Sequence, residues 1–418
     1  MSTPRTARAV TGTVLAVTLL TPLTACSDGA SGNASSAKAG TYSFWDPYPQ
    51  FDASSPWGKR VTACGAQADV KIKRTPMDTT DLANKALLAG QQDNLPDVML
   101  VDNPAVSTLA EAGILAKAAD AGLKTTGIQK NILDAGTVDD EPYGVPIGAN
   151  TLALYYNTDV LKKAKVDPAA VTDWKSLTAA LAEVEAAGSK GITFSATKSE
   201  EGSFQFLPWF WGAGAELTDI DSPAAVSALT LWKDWLDEGY APNSVISNTQ
   251  TTSWQEFATG DFAFAENGTW QLANAEKAGF EYGVISIPAV ESGPAPVPTG
   301  GEFVTVPVQS DTGRYRTTTK IVNCLINGKN LLATDTTLSY IAPTARVQDQ
   351  QVRENAGLQA WVDAVAAARG RTSGGMNTDY PVVSEQMWTA VQAALSGAQS
   401  PKAALEAAQQ AARSKTGN

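Results

Sequence analysis

From residue 41 the chain alternates between strand-like and helix-like stretches, and this order constrains its fold more than any other feature. Residues 41–45 read as a strand, 57–66 as a helix, and 70–74, with alternating apolar positions, as a second strand. Residues 78–89 read as a helix with Asp78 or Thr79 as N-cap, and 97–101 as a short apolar strand ending at Asp102. This βαβαβ order implies a mostly parallel sheet covered by helices. Ligands of such sheets gather at the strand carboxyl ends. Asp46 and Asp102 both sit just past such an end.

The pattern continues to the C-terminus. Residues 143–156 are punctuated by Pro and Gly and then alternate in polarity. Helices are expected at 174–187, 223–238, 253–259, 316–333 and 359–369, and a strand at 282–287 before a Pro/Gly-rich connector at 291–301. The Ala-rich stretch 387–412 reads as two helices broken near 397–401. No repeat of solenoid period is present. A chain of 418 residues with 43% hydrophobic content is globular and should divide into two or more domains.

Charge and residue usage remove several functions. There is no histidine, which excludes a Ser-His-Asp triad, a Cys-His dyad and any His-ligated metal. With 31 Lys+Arg against 43 Asp+Glu, the chain lacks the cationic face that nucleic acid requires. No EF-hand spacing occurs, and the acidic run Asp139-Asp140-Glu141 reads as a solvated loop. No metal or cofactor is expected.

The N-terminus reads as an address. Arg5 and Arg8 precede an uncharged apolar stretch, 10–20, too short to span a bilayer. Leu23-Thr24-Ala25-Cys26 then resembles the lipobox of bacterial lipoproteins, so 1–25 is expected to be a signal peptide and Cys26 the lipidated residue. Residues 26–40, small and polar, are expected to form a flexible tether. The protein is expected to be extracytoplasmic, touching the cell membrane through its lipid anchor only. Cys64 and Cys324 remain. In an oxidising compartment they form a disulfide or, equally, stay as two buried thiols; geometry decides.

Four groups of residues carry a wider resemblance. They are Leu95-Pro-Asp-Val98 through Leu109-Ala-Glu-Ala-Gly-Ile-Leu115; Tyr143-Gly-Val-Pro146 through Leu154-Tyr-Tyr-Asn157; 257–264 with Asn267-Gly-Thr-Trp270; and Tyr282-Gly-Val284 with Ile287-Pro288 and Gly300-Gly301. In order and spacing they resemble the family 1 extracellular solute-binding proteins, the maltose-binding-protein-like receptors of ABC importers. The resemblance implies an α/β, two-lobed periplasmic-binding-protein-like fold of type II with a hinge between the lobes. Carried over, lobe one is 41–145 plus 283–312, and lobe two is 146–282 plus 313–418. It further implies a monomer that closes on a carbohydrate in the interlobe cleft and docks on the permease subunits of its importer.

A sugar offers hydroxyls to carboxylates and amides, and a C–H face to an aromatic ring. The resemblance places such groups at Asp46 and Tyr48 after the first strand, at Asp102 and Asn103 after the third, and at Asn150. It places stacking rings at Trp270 and Trp388. Gly300 and Gly301 allow close backbone approach. Neutral Asn103 and Asn150 stand where the maltose receptor has charged residues, which argues against maltose itself. Glu201, Gln205 and Trp209 lie in a loosely matched segment, and Arg369 or Arg371 could hold a sugar hydroxyl or simply face solvent. Asp102 could equally cap a helix. Trp232, Trp235, Trp174 and Trp361 read as core. The alternatives are the same fold with a non-sugar solute, or a tethered glycoside-acting enzyme. Ser195-Ala-Thr-Lys198 and Lys415-Thr-Gly417 imitate a penicillin-interacting motif set, but the latter sits too close to the C-terminus to form a central strand.

Overall fold

The three strands expected nearest the N-terminus lie side by side. In the computed structural model, which describes residues 40–417, they are Thr41–Asp46, Lys71–Pro76 and Val98–Asp102. The expected signal peptide, Cys26 and the tether to residue 39 lie outside the described residues. Thr41–Asp46 runs parallel to both other strands, with Thr41 opposite Lys71 and Phe44 opposite Val98. Two later segments extend the sheet antiparallel. Glu302–Thr305 pairs with Val98–Asp102, and Val145–Pro146 pairs with Glu302–Thr305. The run Val98-Met-Leu-Val101 is therefore central and buried on both faces, as a continuous apolar strand must be. Phe44, Val98 and Leu100 pack to one side with Trp57 and Val61, while Trp45, Met99 and Val101 pack to the other with Leu82 and Leu109.

A second sheet has the order Tyr282–Ile285, Leu152–Asn157, Phe262–Gly268, Lys190–Thr193. Leu152–Asn157 is antiparallel to both neighbours, and Lys190–Thr193 is parallel to Phe262–Gly268. One core on this sheet gathers Phe206, Trp209, Phe210, Trp232 and Trp235; a second gathers Tyr155, Trp254, Phe257 and Trp361. Trp209 and Trp235 meet edge to face with centroids 5.0 Å apart. Trp174 is buried and donates its indole N–H to the carbonyl of Pro288 at 3.1 Å. All four tryptophans read as core are buried.

The molecule is thus a two-lobed α/β fold. Where the chain passes from one sheet to the other, its crossings are stitched together. Asn150 and Gly300 exchange backbone hydrogen bonds, as do Ala149 and Ile341, and Pro298–Thr299 pairs in parallel with Arg369–Gly370.

Several segments lie elsewhere than the sequence suggests. The strand Tyr282–Ile285, assigned from residue 283 onward to lobe one, pairs with Leu152–Asn157 of the second sheet. The helix Tyr315–Leu325, assigned to lobe two, lays Ile321, Val322 and Leu325 into the first-sheet core beside Trp57 and Val61. Its apolar stripe covers that face of the sheet together with Pro56–Gln67. The single helix expected at 316–333 is two. Asn327 breaks it and caps the second, Gly328–Leu338, accepting from the Asn330 N–H at 3.0 Å. The helix Glu200–Gly212 was not expected at all. Every residue from Gly202 to Gly212 is buried and Pro208 lies inside, so no polar face marks a helical period.

Cys64 and Cys324 form a disulfide that ties Pro56–Gln67 to Tyr315–Leu325 inside the first-sheet core. It closes a loop over a sequence separation of 260 residues. Replacing both cysteines by serine is expected to lower stability by about 2–5 kcal/mol, a Tm loss of a few degrees at this size. Thermal unfolding of the double variant against the oxidised native chain checks this, and unchanged Tm would show that the bond contributes nothing.

Candidate functional site

A cavity of about 390 Å³ opens between the lobes. The first lobe contributes Asp102 at a strand end and Asp78 and Thr79 at the start of the helix Thr79–Gln91. The second contributes Ser199, Glu200, Glu201 and Phe204 from the start of Glu200–Gly212, with Gln250 and Trp270. Asn150, Gly300, Gly301 and Glu302 line it from the crossings, with Arg371.

Arg371 organises this space. Its side chain is 3% exposed. Nη2 donates to Asp102 at 3.0 Å and to Asn103 Oδ1 at 3.1 Å, both from the first lobe. Nη1 donates to Glu200 of the second lobe at 2.7 Å. Glu200 is held in turn by the Tyr380 hydroxyl at 2.5 Å and by the Ser384 hydroxyl. Burial works against the guanidinium charge, but Asp102, Tyr380 and Glu200 outweigh it and raise the Arg371 pKa above its ordinary value. The Nε–H has no partner among the described residues.

Glu302 forms a second node. One carboxylate oxygen accepts from Tyr48 at 2.7 Å and from Tyr340 at 2.8 Å. Desolvation, and then the charge of Asp102, push the Glu302 carboxyl up to about 7, against the two tyrosine hydroxyls and Arg371, which favour its ionised form. Trp270, half-buried, lies over its own backbone: a Cβ at Gly268 would meet the indole at 2.1 Å. Its ring centroid is 6.3 Å from that of Phe204. No group of three or more Cys, Asp or Glu that could hold a metal ion occurs among the described residues.

The structure brings Asp102, Asn150, Trp270, Gly300 and Gly301 together on this cavity. Asp102 does both things weighed for it, capping Asn103–Glu111 through the Asn103 N–H at 2.9 Å while facing the cleft. Four expected ligand positions lie elsewhere. Asp46 is fully buried and bound to Arg74, whose guanidinium neutralises it within lobe one. Tyr48 is buried against Trp57 and reaches the site only through Glu302. Asn103 is 1% exposed, held by the Thr299 carbonyl and Arg371, and serves the guanidinium instead of the cavity. Trp388 is half-buried on Tyr380–Leu395 and does not line the cavity. The glycine pair is tight for an internal reason. A Cβ at Gly300 would meet the Asn150 side chain at 2.0 Å, and Gly301 has φ +112° with the Gly148 carbonyl 2.6 Å from a Cβ. Gln205 and Trp209 are core, bonded to Ser195 and Glu266. Arg369 pairs with Glu216.

The sequence profile of the bacterial extracellular solute-binding proteins matches residues 59–364. The chain belongs to that family. It is 29% identical over 246 residues to the maltodextrin-binding protein MdxE of Bacillus subtilis (strain 168), covering 56% of this chain and 57% of that protein. It is 26% identical over 250 residues to the maltooligosaccharide ABC transporter solute-binding lipoprotein of Streptococcus pneumoniae (strain ATCC BAA-255 / R6), again spanning 57% of the relative. The chain thus matches little more than half the length of these relatives. The maltose-bound MalE3 of T. maritima has the same fold, with TM-score 0.77, 21% identity and coverage of 90% of this chain and 99% of that one.

The folded Glu302 keeps its proton to about pH 7, whereas the unfolded chain releases it near the ordinary glutamate value of about 4.3. Its contribution to stability is therefore present below the ordinary value and lost as pH rises through about 7. Glu302→Gln removes the titration and keeps the shape. From about pH 5 to about pH 8 the Tm of the variant should rise by a few degrees relative to the native chain. Thermal unfolding across that range measures the difference, and an offset independent of pH would contradict the assignment.

Proposed function

We propose that the chain is the receptor of an ABC importer, capturing a mono- or oligosaccharide between its lobes and delivering it to the permease subunits. The observation that carries this reading is the chemistry of the cleft. Carboxylates and amides (Asp102, Glu200, Glu201, Glu302, Asn150, Gln250) surround an indole, Trp270, whose ring is fixed over Gly268. Such groups accept and donate in the pairs that vicinal hydroxyls need, and the ring offers a face for sugar C–H groups. The names of the maltodextrin and maltooligosaccharide relatives support the same class. The receptor catalyses nothing, works as a monomer and requires no cofactor. Binding in a cleft lined from both lobes favours the closed arrangement through contacts that an open one lacks.

The lipobox ending at Cys26, and a relative named as a lipoprotein, support anchorage of the protein outside the cytoplasm through a diacylated Cys26. Cys26→Ser is then expected to release the protein from the membrane fraction with its ligand binding intact; retention would remove the anchor from this reading.

A thermal-shift panel of mono-, di- and oligosaccharides, with amino acids and polyamines as controls, tests the ligand class. A ligand at about 100 times its Kd stabilises by about 2.7 kcal/mol. Trp270→Ala should weaken the responding sugar by about 1–3 kcal/mol in titration calorimetry. Unchanged affinity would take Trp270 out of the site, and a response to controls alone would overturn the carbohydrate.

A further inference from the structure

We infer that Glu302 meets the ligand as a carboxylic acid, giving the proton on its Oε1 to a ligand oxygen, so that capture is coupled to proton uptake. The inference rests on the carbohydrate reading of this cleft and adds a specificity-determining residue and the form in which it acts.

The pairing of the strands shows which carboxyl of the site holds a proton. Glu302 and Asp102 are register partners on adjacent antiparallel strands, and both line the cavity. Such partners project from one face of the sheet, where like charges directly opposite repel. Asp78, Glu200 and Glu201 share the cavity with them, and among the described residues Arg371 is the one basic side chain in its lining. That guanidinium donates to Asp102 at 3.0 Å and to Glu200 at 2.7 Å. Asp102 also accepts from the Asn103 N–H. Glu302 is bonded instead by two neutral groups, the hydroxyls of Tyr48 and Tyr340. The proton that relieves the pair therefore belongs on Glu302.

The same bonds fix which oxygen carries it. Both tyrosines donate to Oε2, which fills the acceptor sites of that oxygen. Oε1 has no hydrogen-bond partner among the described residues, on a side chain that lines the cavity. An ionised carboxylate can only accept, so it suits a sugar hydroxyl but not a ring or glycosidic oxygen, which lacks a proton. A carboxylic acid donates to those oxygens. Desolvation and the Asp102 charge already hold the Glu302 carboxyl up to about 7. A ligand oxygen that accepts from Oε1 favours the acid form further. Affinity is then greatest below about pH 7 and falls as pH rises through that value, where binding must take up a proton.

Titration calorimetry on the full chain with glucose, galactose, maltose, maltotriose, lactose and cellobiose tests the inference. Each is measured at about pH 6 and about pH 8.5, in buffers of different ionisation enthalpy. The sugar that binds is expected to bind about tenfold or more weakly at the higher pH, with net proton uptake there. The chain has no histidine to titrate in this range. Glu266 and Asp335, whose carboxyls burial also raises, do not line the cavity. Glu302→Gln puts a permanent N–H donor in place of the Oε1 hydroxyl. It is expected to lose the pH dependence and, at about pH 8.5, to bind about fivefold or more tightly than the native chain. Equal affinity at both pH values with no proton taken up would overturn the inference and leave the carbohydrate receptor standing. A pH dependence that survives Glu302→Gln would do the same. Silence from every sugar would overturn the carbohydrate reading and the inference with it.

Discussion

One buried guanidinium holds the two halves of this molecule in register. Arg371 directly follows the short strand Arg369–Gly370 that pairs with Pro298–Thr299 at the junction, and its ion pairs run to Asp102 of one lobe and Glu200 of the other. A charge this deeply buried persists only with partners on several sides. Each partner is itself fixed: Asp102 as a helix cap, Asn103 by the Thr299 carbonyl, and Glu200 by Tyr380 and Ser384. The arrangement of the cleft wall therefore follows from a single cation and the groups that must surround it. Removing the cation would leave two carboxylates facing each other across the cleft without their shared partner.

Around that centre the lobes divide the work. The first lobe presents strand and helix ends, where backbone geometry places Asp78, Thr79 and Asp102 with little freedom. The second presents the partly exposed opening turn of a helix that is buried from Gly202 to Gly212 over an aromatic core. Glu302 lies where the crossings meet, bonded to one tyrosine from the loop after the first strand and another from the segment after Gly328–Leu338. The hydrogen bonds of its carboxyl thus register the positions of segments far apart in sequence.

Much of the fold was legible because its strands are short, apolar and separated by capped helices. The central run Val98–Val101 and the helix beginning at Trp174 are visible as sequence patterns before any coordinates. The site was only partly legible. Residues beside a strand end or a crossing, such as Asp102, Asn150 and Trp270, could be placed by resemblance. Glu200 and Phe204 could not, because a helix buried on all sides has no periodicity to announce it. Arg371 could not be told from a surface arginine, since what distinguishes it is the convergence of Asp102, Asn103 and Glu200 over more than 160 residues of chain. Asp46 failed in the opposite direction: its place after a strand suits a ligand, but Arg74 on the adjacent strand claims it first.

The disulfide has a topological consequence. Cys64 and Cys324 bracket the whole excursion of the chain through the second sheet, from Leu152 to Ile285. In covalent terms this excursion is a loop hung from a ring that closes inside the first lobe, while Tyr380–Leu395 and Pro401–Thr416 return to the second-lobe core from outside the ring. A single backbone cut anywhere in that loop opens the ring without separating the molecule: both fragments stay joined through the sulfur bridge, and each keeps its own share of the first-lobe core.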